Sequence, residues 1–186
     1  MKGKLLSVLF VVILLAIVFS GCFEENNKQT EKQSSKLVTS PLRTLALTID
    51  DLQQDYSEYY NGSEYASEFS GNANETFVIW FSRGDTSNPE EYDLVTCELN
   101  KFDSINESES AYETVINYMM QIGGFQDVDS SIDIIGEKSK ALTKSGYPDI
   151  FSFRISNIIC VMSSTDYSTT IDLANIVEQR IYNSIE

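Results

Sequence analysis

Histidine is absent from the 186 residues, which removes the commonest general base and the commonest metal ligand together. Chemistry would have to come from carboxylates, three cysteines and ten tyrosines. No Gly-x-Ser-x-Gly, Ser-x-x-Lys or Walker pattern occurs, and a Ser-His-Asp triad is excluded. Asp127, Asp129 and Asp133 have the spacing of an opening calcium loop but lack its glycine and terminal glutamate, so they read as a solvated turn. Asp50, Asp51 and Asp55 read as charge at a helix start. No catalytic residue, metal site or cofactor is assigned, and the chain is read as a non-enzyme. The densest group able to hold a ligand is Tyr56, Tyr59, Tyr60 and Tyr65, beside the Asn61-Gly62 pair. A phenol ring offers a flat apolar face and a hydroxyl, which suits stacking on sugars or gripping peptides. The competing role is packing over a sheet edge to close the core.

The formal net charge is −15. Phosphate attraction would be reversed, which argues against nucleic-acid partners. Three N-x-S/T sequons, at Asn61, Asn74 and Asn106, fall in expected loops or at element boundaries and are candidate glycosylation sites. Cys97 and Cys160 occupy core-facing strand positions and are read as buried free thiols, with a disulfide as the alternative.

The elements that must position these residues begin with Lys2 and Lys4, then an apolar run from Leu5 to Phe19 broken only by Ser7, then Ser20-Gly21-Cys22. This is the pattern of an export signal. It resembles a lipoprotein signal, which implies that Cys22 receives the lipid and becomes the first mature residue. Fifteen helical residues span only about 22 Å of a ~30 Å hydrocarbon core, which favours the signal; extended to Phe23 the segment nears spanning length, so an uncleaved transmembrane anchor is the alternative. Residues 1–21 are thus the signal, 22–41 the lipidated cysteine and a disordered polar tether, and 42–186 a single extracytoplasmic domain. The expected location is the outer face of the cell membrane.

Within the domain, Leu45, Leu47 and Ile49 alternate with polar or small residues as in a short strand. Thr48 or Asp50 caps a helical turn running to Gln54. Thr76 to Phe81 and Tyr92 to Phe102 are strands, the second with Glu98 on a partly wet face. Asn106-Glu107-Ser108-Glu109 has the form of a capping box opening a helix. Its core residues are Tyr112, Val115, Ile116, Met119 and Met120, and Gly123-Gly124 ends it. Ile132 to Ile135 and Lys140 to Thr143 are weaker strands. Asp149 to Ile155, a Ser156-Asn157 turn and Ile158 to Met162 form a hairpin pairing Ile155 with Ile158, Phe153 with Cys160 and Phe151 with Met162. Ile159 and Val161 make the second strand apolar on both sides, so it should lie in the sheet interior. A last helix from Ser168 or Thr169 presents Leu173, Ile176, Val177 and Ile181.

The sum is an α+β domain, an antiparallel β-sheet with two long helices packed on one face, preceded by the signal/anchor segment. The order of "LTIDDL", "DIFSFRISNIICVM" and "LANIVEQRI" resembles archaeal cell-surface lipoproteins, and is loosely similar to PsbP-like and mycobacterial lipoprotein sensor domains. The anchor, the empty motif search and the tyrosine group together give the expected function, a membrane-anchored ligand-binding or sensing module with a cell-envelope glycan or protein as partner. The alternative is a structural or interaction component of the envelope. An aromatic-lined pocket with convergent polar groups favours the first, a featureless surface or one large apolar patch the second.

Overall fold

The structure is a computed structural model that describes residues 35–52, 55–84, 93–128 and 135–185. The signal, Cys22, most of the tether, Gln53-Gln54, Asp129 and residues 131–134 lie outside the described residues.

Seven strands form one sheet: β1 (Ser57–Gly62), β2 (Glu75–Arg83), β3 (Asp93–Lys101), β4 (Gln126–Asp127), β5 (Lys138–Thr143), β6 (Asp149–Ile155) and β7 (Ile158–Ser164). Their order is β1-β2-β3-β7-β6-β5-β4, with every neighbouring pair antiparallel. Helix α1 (Ile105–Gln121) connects β3 to β4, and α2 (Tyr167–Asn183) follows β7. Three 3-10 turns, Leu42–Thr44, Ile49–Asp51 and Glu68–Ser70, accompany them. The domain is therefore α+β with an antiparallel sheet.

The expected hairpin forms in the expected register: Ile155 opposite Ile158, Phe153 opposite Cys160 and Phe151 opposite Met162. All six are buried in the larger core, beneath Leu173, Ala174, Val177 and Ile181 of α2, with Ile176 partly buried beside them. The two long helices, expected on one face, instead cover opposite faces. Tyr112 and Ile116 of α1 pack with Ile159, Leu142, Ile150 and Val161 in a second core. The reason is β7 itself, which occupies the middle of the sheet. Alternate side chains leave a strand on opposite sides, so a strand apolar on both needs a cover on each. Within α1, Met119 packs on the core while Met120 is exposed, because a further 100° of helix turns it away from the Tyr112 stripe.

The packed unit takes in residues ahead of the expected start at Leu42. Val38 is buried, its N–H donates to Asn157 Oδ1 (2.8 Å) and it bridges to Ile185. Lys101 Nζ reaches the Ser40 carbonyl at 3.1 Å. The strand expected around Leu45 to Ile49 is absent. Leu45, Ala46 and Leu47 are all buried, and the Ala46 carbonyl accepts from Arg180 Nη1 (2.7 Å) rather than from a neighbouring strand. Alternation in this segment therefore did not mark a sheet face. Thr48 does precede a helical turn, Ile49–Asp51. The Asp51 carboxylate accepts from the Thr48 N–H and from both terminal nitrogens of Arg180. Burial pushes that carboxyl up, but the Arg180 and Thr48 hydrogen bonds outweigh it and hold it below the usual range.

Helix α1 is capped by Ser104, whose Oγ accepts from the Glu107 N–H (3.2 Å), and not by Asn106, which lies in the first turn. Helix α2 is capped by Asp166, whose carboxylate accepts from Thr169 Oγ1 (2.6 Å), Ser168 Oγ (2.8 Å) and the Thr169 N–H (2.9 Å). The Thr169 hydroxyl, then that of Ser168, pull its pKa down to about 2. The folded state thus binds this proton more weakly than the unfolded chain, whose aspartates titrate near ~3.9. The stabilisation is complete above that value and is lost as pH falls through 2. Asp166→Asn should flatten the acid limb of a stability–pH curve between about pH 4 and 2; an unchanged limb would refute this role.

Cys97 and Cys160 are buried and unbonded. They sit diagonally on one face, Cys97 opposite Met162 and Leu99 opposite Cys160. Burial, then the neighbouring Cys97, pushes the Cys160 thiol well above its ordinary value; both thiols are sealed from solvent and should be inert in the native state. Thiol titration without reductant should detect both only after unfolding; their absence then would indicate a bridge.

Candidate functional site

Three of the four tyrosines converge, and the residue that gathers them is Trp80. In a regular strand Tyr59 and Tyr60 would face opposite sides. Here the register slips between Glu58, opposite Phe81, and Tyr60, opposite Trp80, so Tyr59 sits in a β-bulge. Both rings then reach the indole. Tyr59 lies parallel to it at 6.4 Å with an interplanar angle of 5°, and Tyr60 is tilted at 5.3 Å. Tyr65, from the loop after β1, stacks on it at 5.1 Å and meets Tyr60 edge-on at 4.8 Å. Each such pair is worth about 0.5–1.5 kcal/mol beyond area burial.

Tyr60 is the internal brace: its hydroxyl accepts from the Glu64 N–H at 2.7 Å. A Cβ on Gly62 would come within 2.7 Å of that hydroxyl, which is why a glycine ends β1. The Asn61-Gly62 pair is the end of the strand, with the expected turn beginning one residue later. The outer rings stay in water, Tyr59 at 59% and Tyr65 at 55% exposure.

Tyr56 does not join them. Its hydroxyl donates to the Asp93 carboxylate and the Arg83 guanidinium lies 4.9 Å from its ring, with Arg83 and Asp93 paired at 2.9 Å. Burial, then the Asp93 hydrogen bond, pushes its phenol up to about 12. This ring closes the border of the larger core and leaves the candidate set.

Beside the rings runs a row across the sheet: Tyr60, Trp80, Thr96, Ser163 and Ile150 are successive cross-strand partners. Although β3 and β7 are central strands, Thr96, Ser163 and Ile150 are only half-buried. The Thr96 and Ser163 hydroxyls pair at 2.8 Å. The platform therefore combines exposed aromatic faces with hydroxyls beside them, and none of these side chains is basic.

The loop that delivers Tyr65 is fastened by Glu98. Rather than facing water, Glu98 is buried at 6% exposure. Its carboxylate accepts from the Ser67 N–H (2.7 Å), Ser67 Oγ (2.8 Å) and Asn100 Nδ2 (2.7 Å). Ser67 Oγ also accepts from the Phe69 N–H, starting the turn that sends Phe69 into the second core.

Asn61, Asn74 and Asn106 are all exposed. Asn61 Nδ2 donates to Glu58 Oε1 (2.9 Å) and Asn74 Nδ2 to the Asp103 carboxylate. The Asn106 sequon has its Ser108 buried, with Oγ donating to the Ser156 carbonyl at 2.8 Å. Glycosylation thus needs an unfolded chain at Asn106 but not at Asn61. Among the described residues no group of three or more His, Cys, Asp or Glu side chains is placed to hold a metal ion.

Trp80 was missed as a site residue because it stands in a strand of ordinary β-forming composition. The available signal was parity: Val78, Trp80 and Ser82 share a face, and the chain's single tryptophan falls beside the tyrosines only once β1 pairs with β2. Comparison of the chain with protein-family models, with curated proteins and with solved structures returns no match.

Proposed function

We propose that the domain is a non-catalytic binding module that stacks uncharged sugar rings of a cell-envelope glycan on the Tyr59–Tyr65–Trp80 platform. The observation behind it is the arrangement of the rings: two exposed tyrosines flank one indole beside a pair of hydroxyls. Aromatic faces grip the apolar faces of a sugar while nearby hydroxyls orient it. The acidic chain and the absence of a basic residue from the platform disfavour anionic glycans. A lipid on Cys22 holds the module at the outer face of the membrane, an uncleaved N-terminal helix being the alternative.

Tyr59→Ala with Tyr65→Ala should abolish co-sedimentation with insoluble envelope glycan, while Tm falls by no more than a few degrees. Retained binding with a large loss of Tm would make the rings structural. Cys22→Ser should release the protein from the lipid phase; an unmodified residue 22 by intact mass would refute the lipid anchor.

A second role, as an envelope packing component, is favoured by exposed apolar side chains near the end of α1. Ile122 at 72% exposure follows the end of α1, close in sequence to the exposed Tyr118 and Met120.

A further inference from the structure

The loop of residues 69–74 and helix α1 enclose a cleft of about 400 Å³, within the range of small-molecule sites. Its apolar lining includes Phe69, Phe102, Ala111 and Val115, and its two charged lining residues are Asp103 and Glu107. On α1 the residues that line it recur at three- and four-residue spacing, so they form one wall.

The charged lining of the cleft is of one sign. Elsewhere several carboxylates are matched by cations: Asp51 with Arg180, Asp93 with Arg83, Glu75 with Lys101, Glu109 and Glu113 with Lys138, Asp127 with Lys140 and Glu137 with Arg154, while Glu98 and Asp166 are held by neutral donors. No Lys or Arg lines the cleft. The Asp103 carboxylate is held by the Asn74 amide, a neutral donor that orients it without removing its charge.

We infer that this cleft binds a small organic cation, an ammonium or guanidinium head on a hydrocarbon body, with the head between Asp103 and Glu107 and the body on the Phe69–Phe102–Ala111–Val115 surface. An anion meets two like charges there, and a neutral amphiphile gains the apolar contact alone. The site is independent of the aromatic platform, although residues 63–74 contribute to both.

The test is a heteronuclear NMR titration of the domain with hexylammonium, hexanol and hexanoate. Hexylammonium should give saturable shifts centred on Ala111 and Val115. Hexanol should bind about tenfold more weakly, and hexanoate should leave those signals unmoved. Asp103→Asn with Glu107→Gln should weaken hexylammonium about tenfold, to the level of hexanol. Ser110→Trp, an exposed helix position lining the cleft, should block it without entering the core. Tyr59→Ala with Tyr65→Ala should leave hexylammonium binding intact. Equal response to the three probes, no saturation, insensitivity to the cleft variants, or loss in the platform variant would each overturn the assignment.

Discussion

Arg154→Ala is expected to destabilise the domain by about 3–5 kcal/mol, the range for breaking a buried ion pair from one side. Arg154 and Glu137 are only 2% and 4% exposed, with Nη2 at 2.8 Å from Oε2. Arg154 Nη1 also donates to the Ser156 carbonyl (2.9 Å). That carbonyl belongs to a residue with φ of 54° and accepts from Ser108 Oγ as well. The arginine therefore supports the hairpin turn and the docking of α1. Truncation takes the Arg154 guanidinium away from the Glu137 carboxylate in a dry site, where desolvation is costly. Replacing both partners by Arg154→Met and Glu137→Leu removes both buried charges, and should lose less than the single alanine variant. Urea unfolding of the three proteins checks this; a double variant less stable than Arg154→Ala would contradict it.

Glu98→Ala should cost about 3 kcal/mol and, unlike the first variant, abolish glycan binding in molecules that remain folded. Three donors lose their acceptor, and a buried donor left unmet costs about 1–3 kcal/mol. Loop relaxation lets the Ser67 groups regain water, which limits the sum. The consequence for function is specific: the loop lifts, Tyr65 leaves Trp80, and the platform loses one exposed face. Glu98→Gln keeps one accepting oxygen and should fall between. Chemical denaturation gives the stability and co-sedimentation the binding. Full binding by folded Glu98→Ala would separate the loop anchor from the platform.

These two residues also mark where sequence reasoning stopped. The hairpin register was legible because a two-residue turn and a period-2 apolar pattern leave one pairing that buries all six side chains. Helix ends were legible to within two residues, since Gly123-Gly124 and the hydroxyl-rich starts act locally. The opposite placement of the helices was also present in the sequence, in the two-sided apolarity of Ile159 and Val161. It was read for strand position and not for what must cover each face.

Glu98 looked like a wet-face residue because Ser67, which supplies two of its three donors, arrives with the return of a loop over the sheet, while Asn100 is its neighbour two residues along β3. Arg154 sat in a strand with nothing nearby in sequence to name Glu137 as its partner. The candidate site divided the same way. Tyr59, Tyr60 and Tyr65 were found by density alone. Excluding Tyr56 needed its contact with Asp93, and including Trp80 needed the β1–β2 pairing and the bulge at Tyr59. Pairs that meet through tertiary contact leave no local periodicity to read.

Trp80 is the chain's single tryptophan and lies within 6.4 Å of all three platform tyrosines, so its emission is a direct reporter of the central claim. Titrating the domain with soluble neutral oligosaccharides of envelope glycan should change that emission saturably, and the change should vanish in Tyr59→Ala/Tyr65→Ala. Emission that stays constant across the titration in the intact domain, or that changes equally in the double variant, would contradict the account.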